Sequence, residues 1–176
     1  MATATITPDQ GVVQAEIFIA APPERVFQSL TDPSQVPQWW GDRAMYRVTE
    51  FKGDVRPGGK WTTLGTGSDG SSFRVEGEYL EVDPPRVLVY TWNPSYAAQL
   101  KTVVRCEIEP RPVHGLPHRG PQKMATGSIV RIRHSGFTGN REPARSHSEG
   151  WTRVLGWLQL FVAKAETVAT RAPVSG

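Results

Sequence analysis

Cysteine is nearly missing: Cys106 stands alone in 176 residues. An internal disulfide is therefore excluded, and so is a thiolate metal cluster; the usage fits a reducing compartment. Long apolar runs are missing too, since none approaches the ~20 residues of a membrane-spanning helix. The first ten residues lack the charged start and apolar block of a signal peptide. The expected location is the cytoplasm, with no membrane partner. Acids are scarce in one region. Between Arg111 and His147 there are seven basic residues and one acid, Glu142, which makes that segment +6 and the remainder −3 in a chain of net charge +3. A basic patch attracts anions, but no nucleic-acid-binding motif accompanies it, so nucleic acid is not an expected partner. Helical periodicity is also rare, with one long pattern in the whole chain.

That pattern runs from Pro143 to about Val168. Trp151, Leu155, Leu158, Val162 and Ala165 recur at steps of four and three, on one helical face. Val154, Trp157 and Phe161 widen the stripe, while Thr152, Arg153, Gln159, Lys164 and Glu166 can face water. Asn140 suits the N-cap and Pro143 the first turn. A helix with so wide an apolar face needs a large partner.

The partner is expected to be a sheet, because the rest of the chain reads mostly as strand. Val13, Ala15, Ile17 and Ile19 alternate with polar positions over 12–20. Two short helices follow that first strand, about Val26 and up to Trp39-Trp40. Further strands are expected over 44–52, 60–64, 72–82, 86–92, 101–109 and 127–134. Pro57-Gly58-Gly59 and Asp83-Pro84-Pro85 punctuate them, and Gly77 marks a candidate bulge. Short turns imply antiparallel pairing. The fold class is α+β, a bent sheet around one long helix. One domain is expected over 12–168, with flexible tails at 1–11 and 169–176.

Gly65-Thr-Gly67-Ser-Asp-Gly70 matches the G-x-G-x-x-G dinucleotide pattern. The fingerprint requires a helix after the glycines, and here a strand pattern follows, so the stretch reads as a hairpin turn. His114 and His118 are separated by Gly115-Leu116-Pro117, which forbids the helix that would align them on a metal. No metal and no cofactor are expected. Cys106 lies on an apolar strand face and reads as core. His134 shares an inward face with Val130 and Ile132 and is the best single polar candidate, without a paired acid. Glu78 and Arg56 are weaker candidates. No catalytic set is assigned.

Several signatures carry a family resemblance. They are Ile19-Ala-Ala-Pro-Pro-Glu24-Arg-Val26-Phe27, Thr31-Asp32-Pro33, Trp39-Trp40, Asp54-Val-Arg56-Pro57-Gly58-Gly59, Asp69-Gly70, Gly77-Glu78-Tyr79 with Glu81-Val82-Asp83-Pro84-Pro85, Tyr90-Thr91-Trp92 and Gly150-Trp151. In their order over 12–168 the chain resembles the START-like, birch-pollen-allergen-like superfamily. Within it, the chain looks like the group named after the activator of heat-shock protein 90 ATPase. The resemblance implies a helix-grip fold, with a seven-stranded curved antiparallel sheet, two short helices after the first strand and a cavity under the C-terminal helix. The segment from Pro110 to Thr126 is longer than the usual hairpin.

Six tryptophans suit an apolar pocket wall. Trp40, Trp61, Phe73, Tyr90, Trp92, His134, Trp151, Leu155 and Leu158 are the expected lining of a cavity between sheet and helix. Trp40 and the 110–126 loop are the expected rim. The expected partner is a small hydrophobic or aromatic ligand, anionic forms being favoured by the nearby positive charge. A cyclase- or hydrolase-like enzyme and a chaperone-binding module are the alternatives, and a homodimer is left open.

Overall fold

The computed structural model describes residues 1–7, 11–113 and 126–169. Nine strands form one sheet: β1 (Thr3–Thr7), β2 (Val12–Ile19), β3 (Gly41–Asp42), β4 (Tyr46–Gly53), β5 (Lys60–Gly67), β6 (Ser72–Asp83), β7 (Val87–Pro94), β8 (Thr102–Pro112) and β9 (Thr126–Ser135). Their spatial order is β1-β2-β9-β8-β7-β6-β5-β4-β3, and every neighbouring pair is antiparallel. Among the described residues three α-helices accompany the sheet, α1 (Pro23–Thr31), α2 (Val36–Trp39) and α3 (Arg141–Ala169), with one 3-10 turn at Ser95–Ala97. The architecture is α+β, an antiparallel sheet with a long C-terminal helix.

Two details differ from the sequence expectation. The sheet has nine strands, not seven, and the short helices follow the second strand. One added strand is β1, inside the stretch expected to be a flexible tail; Thr3 to Thr7 pair with Glu16 to Val12. The other, β3, has two residues and pairs Gly41 with Arg47.

The alternation on β2 does what it implies. Val13, Ala15, Ile17 and Ile19 are buried while Gln14 and Glu16 are exposed. On β8, Thr102, Val104, Cys106 and Ile108 face the core, as do Ser128, Val130, Ile132 and His134 on β9. The outer face carries Glu16–Arg131–Glu109 and Glu81–Arg105–Glu107 ion ladders. Arg131 is thus paired twice and Arg145 faces Glu149 at 3.7 Å, so part of the basic segment is locally neutralised. His114, His118, Arg119 and Lys123 lie outside the described residues.

On α3, Ala144, Trp151, Val154, Leu155, Leu158 and Val162 are buried and Thr152, Arg153 and Lys164 are exposed. Ala165 and Glu166 lie outside the residues whose side chains are described. Gln159 is not given to water alone, because its amide donates to the Phe18 carbonyl at 2.7 Å. The Asn140 carbonyl accepts the first helical bond, from Ala144, at 3.1 Å. Its side chain donates to the Thr138 carbonyl instead of capping.

The helix lies against β2 and β1, with α1 and α2 beside it, while α2 sits against β4. Helix and sheet therefore meet closely on one half and diverge on the other. No helix among the described residues is long and apolar enough to cross a membrane.

Candidate functional site

Indole rings fill the wedge between α3 and the β4–β7 half of the sheet. Trp40 stacks on Trp39 at 5.1 Å between ring centres and on Trp92 at 6.1 Å with 21° between planes. Trp151 meets Trp40 at 6.2 Å and Trp92 at 6.3 Å. Trp61 packs against Tyr90 at 5.3 Å and Trp92 at 5.6 Å. The two adjacent tryptophans divide. Trp39 is buried, its N–H donating to the Ser29 carbonyl at 2.9 Å, whereas Trp40 is half-buried at the boundary.

This packing leaves an interior void of about 30 Å³, room for roughly one water. Trp40, Trp61, Tyr90, Trp92, Trp151, Leu155 and Leu158 line it, seven of the nine expected residues. The space between sheet and helix is small, because the bulk of these rings takes up the wedge. The larger space lies just outside, an open cleft of about 570 Å³ on the other side of Trp40. Trp40, Trp92 and Trp151 face both spaces. Phe73 lines the outer cleft and not the interior; His134 lines neither.

The cleft brings together residues that the spacing pattern did not single out. Tyr46 from β4, Tyr96 from the turn after β7, and His147 and Arg153 from α3 join Trp40, Phe73, Trp92 and Trp151 around it. Tyr46 meets Phe73 edge-on at 5.6 Å. Arg153 is close enough to favour ionisation of the Tyr46 hydroxyl, although burial, the larger effect, raises its pKa. The Arg153 guanidinium stands 3.8 Å from Glu149, a loose exposed pair. Among the described residues no carboxylate lines the cleft. Ser146, His147, Gly150, Trp151, Arg153 and Val154 all reach it from the N-terminal half of α3, following the helical repeat. Only the apolar members of that face stood out in the sequence.

His134 is a fully satisfied core residue. The Trp151 indole N–H donates to His134 Nδ1 at 3.0 Å, so the ring's proton sits on Nε2. Nε2–H then donates to Thr102 Oγ1 at 2.7 Å, and that hydroxyl donates to the Trp92 carbonyl at 3.3 Å. His147, its ring centre 5.0 Å from that of His134, holds the opposite tautomer. Its Nδ1 lies 2.8 Å from the Pro143 carbonyl, which only accepts. Burial, with His147 adding to it, holds the His134 pKa well below the usual histidine range. Burial also lowers that of His147, offset in part by the Pro143 bond.

The other candidates resolve simply. Burial pushes the Cys106 thiol up to about 12, with Glu107 contributing, as an inert core thiol requires. Glu78 pairs with Lys60 and Arg56 with Asp54, all at the surface. Among the described residues no cluster of ligands could hold a metal. Gly67–Gly70 is a turn between β5 and β6 in which Asp69 accepts from the Ser71 N–H at 2.9 Å, as the hairpin reading requires. The described ends of the 110–126 loop, Pro112 and Thr126, pair at the far end of β8 from Thr102. The rest of that loop, residues 114–125, lies outside the described residues.

An antiparallel sheet closed by one C-terminal helix, with apolar rings in the wedge, defines a protein of the START-like type. A family profile described as Activator of Hsp90 ATPase homolog 1-like protein matches residues 20–115, more than half of the sequence, and the chain belongs to that family. No curated protein matches it. Solved structures do. A Rhodobacter sphaeroides protein is 18% identical, with a TM-score of 0.72 over 93% of this chain and 99% of its own. Protein Ms6760 from Mycobacterium smegmatis is 18% identical, with a TM-score of 0.67 and 100% of both chains covered. DynU16, a protein in the dynemicin biosynthetic locus, is 16% identical, with a TM-score of 0.62 over 88% of this chain and 48% of its own. At such identities the likeness is one of fold.

Proposed function

We propose that the protein binds a planar aromatic small molecule bearing an anionic oxygen, in the cleft between the N-terminal half of α3 and the β4–β7 half of the sheet. The observation that carries this reading is the composition of the 570 Å³ cleft: six aromatic side chains, a cationic Arg153 and no carboxylate. That volume suits a ligand of two to four fused rings. Stacking on Trp40 and Trp92 supplies ~0.5–1.5 kcal/mol per good contact beyond burial. A few such contacts and one exposed charge give micromolar affinity, on the order of −8 kcal/mol. Trp40 is the inner wall, so a ligand that turns this ring also reaches the interior void. The occurrence of the same fold in the dynemicin biosynthetic locus accords with a small-molecule role.

The test is titration of the tryptophan fluorescence with 2-naphthoate and its neutral isostere 2-naphthamide. Saturable quenching is expected for both, stronger for naphthoate at low salt. Trp40→Ala should weaken both about two- to tenfold. Arg153→Ala should weaken naphthoate alone. Equal affinities for the two compounds in every variant would defeat the anionic part of the reading, and no saturable quenching would defeat the site.

A further inference from the structure

His147 has a property that ligand binding alone does not use. The Pro143 carbonyl accepts from its Nδ1, which therefore carries the proton of the neutral ring. Nε2 is left as a lone-pair acceptor on the ring edge opposite the helix backbone. The ring lines the cleft and is half-buried. The groups that face it are few. His134 approaches from β9 at 5.0 Å between ring centres and is itself held neutral by its bonds to Trp151 and Thr102. Phe137 and Trp92 cover the ring at 5.0 and 6.4 Å. On α3 the nearby charges are Arg145, Glu149 and Arg153, with Glu149 shared loosely between the two arginines. A carboxylate partner would make His147 an ion-pair member; none lines the cleft. Burial keeps the ring neutral at neutral pH. An anchored, neutral imidazole with one directed lone pair has the form of a general base.

We infer that His147 Nε2 removes a proton from the carbon next to the carbonyl of an aromatic ketone held in the cleft, with Arg153 facing the enolate oxygen. This rests on the cleft being the ligand site. In the step, the C–H electron pair becomes the enolate C=C, the carbonyl π pair moves onto oxygen, and the proton resides on Nε2. The imidazolium exchanges that proton with water and returns another to carbon. In D2O the net change is replacement of hydrogen by deuterium. The negative charge forms beside a guanidinium that Glu149 holds only loosely, at 3.8 Å, and no carboxylate is among the described residues lining the cleft.

The probe is 2-tetralone in buffered D2O. Proton NMR follows loss of its C1 signals, and tryptophan fluorescence follows binding in the same samples. His147→Asn is the main variant, because the asparagine amide can still donate to the Pro143 carbonyl; His147→Gln is the second, and melting temperatures check that both are folded. The wild-type protein should speed exchange at least tenfold over both variants, while all three bind the ketone. Its rate should hold through the usual histidine range and fall only at lower pH, where the ring, its pKa lowered by burial, takes up a proton. Arg153→Ala should slow exchange with the pH profile kept. Equal exchange by wild type and both variants, with binding intact, would overturn the base while leaving the binding site standing. Failure of tetralone to bind at all, where 2-naphthoate does bind, would remove the ketone as a ligand and the inference with it.

Discussion

Trp151 and His134 show what one hydrogen bond decides. Trp151 Nε1 can only donate, so His134 Nδ1 must accept, and the ring's remaining proton is fixed toward Thr102. Trp151→Phe keeps an aromatic ring, smaller than the indole, but leaves a buried acceptor unpaired. A loss of about 1–3 kcal/mol is expected in urea unfolding, and an unchanged midpoint would show that the bond contributes nothing. Both histidines also tie stability to pH. Each has a folded pKa below the unfolded value of ~6.5, so the unfolded state binds more protons once the pH falls under that value. The stability they support is complete above pH 6.5 and is lost on acidification toward their folded pKa values, by up to about 1.4 kcal/mol per pH unit for the fully buried His134. Melting temperatures at pH 8, 6.5 and 5.5 should show a plateau and then a fall, and the fall should shrink in a folded His134→Gln variant. The inward placement of His134 was legible in the alternation of β9. Its partners were not, because Trp151 and Thr102 are 17 and 32 residues away and meet it only in the folded chain. His147 was passed over because a lone histidine in a polar second turn has no pattern around it.

At the level of elements, α3 was the most legible, since a 3.6-residue repeat over many turns cannot be mistaken for strand. Leu158→Ala should cost about 2–5 kcal/mol, as for a leucine with no exposure, and Lys164→Ala almost nothing. Equal losses in denaturant titrations of the two would contradict the assigned face. The Pro57-Gly58-Gly59 turn separates two kinds of glycine requirement. Gly58 has a φ of +82° but open space, while a Cβ on Gly59 would fall 1.8 Å from the Asp54 carbonyl oxygen. Gly58→Asn should therefore cost less than ~1 kcal/mol and Gly59→Ala more, measured by thermal melts. Gly77, read from sequence as a bulge, is instead a point of close approach. A Cβ there would lie 1.9 Å from the Thr91 carbonyl oxygen, and the register shift falls further on, between Tyr79 and Glu81. The strand β1 escaped detection because five residues, Thr-Ala-Thr-Ile-Thr, hold too little apolar periodicity to stand apart from a tail. Their β-branched side chains gain a reason to be extended only from pairing with β2.

Across the whole molecule, the helix covers one half of the sheet closely and stands away from the other. Expecting a wedge was sound. How full it is was not legible, because residue identities reveal which rings face inward but not whether their volumes fill the space. Trp39, Trp40, Trp61, Trp92 and Trp151 together nearly close the interior, and the usable space moves to the outer side of Trp40. The indole N–H groups report that arrangement individually. A proton–nitrogen correlation spectrum of the protein should show six indole signals, one per tryptophan. On addition of 2-naphthoate, those of Trp40, Trp92 and Trp151 should shift together and saturably. That of Trp39, bonded to the Ser29 carbonyl deep in the core, should stay in place. Shifts confined to Trp39, or no movement of Trp40 and Trp92 at saturating ligand, would contradict the cleft as the binding site.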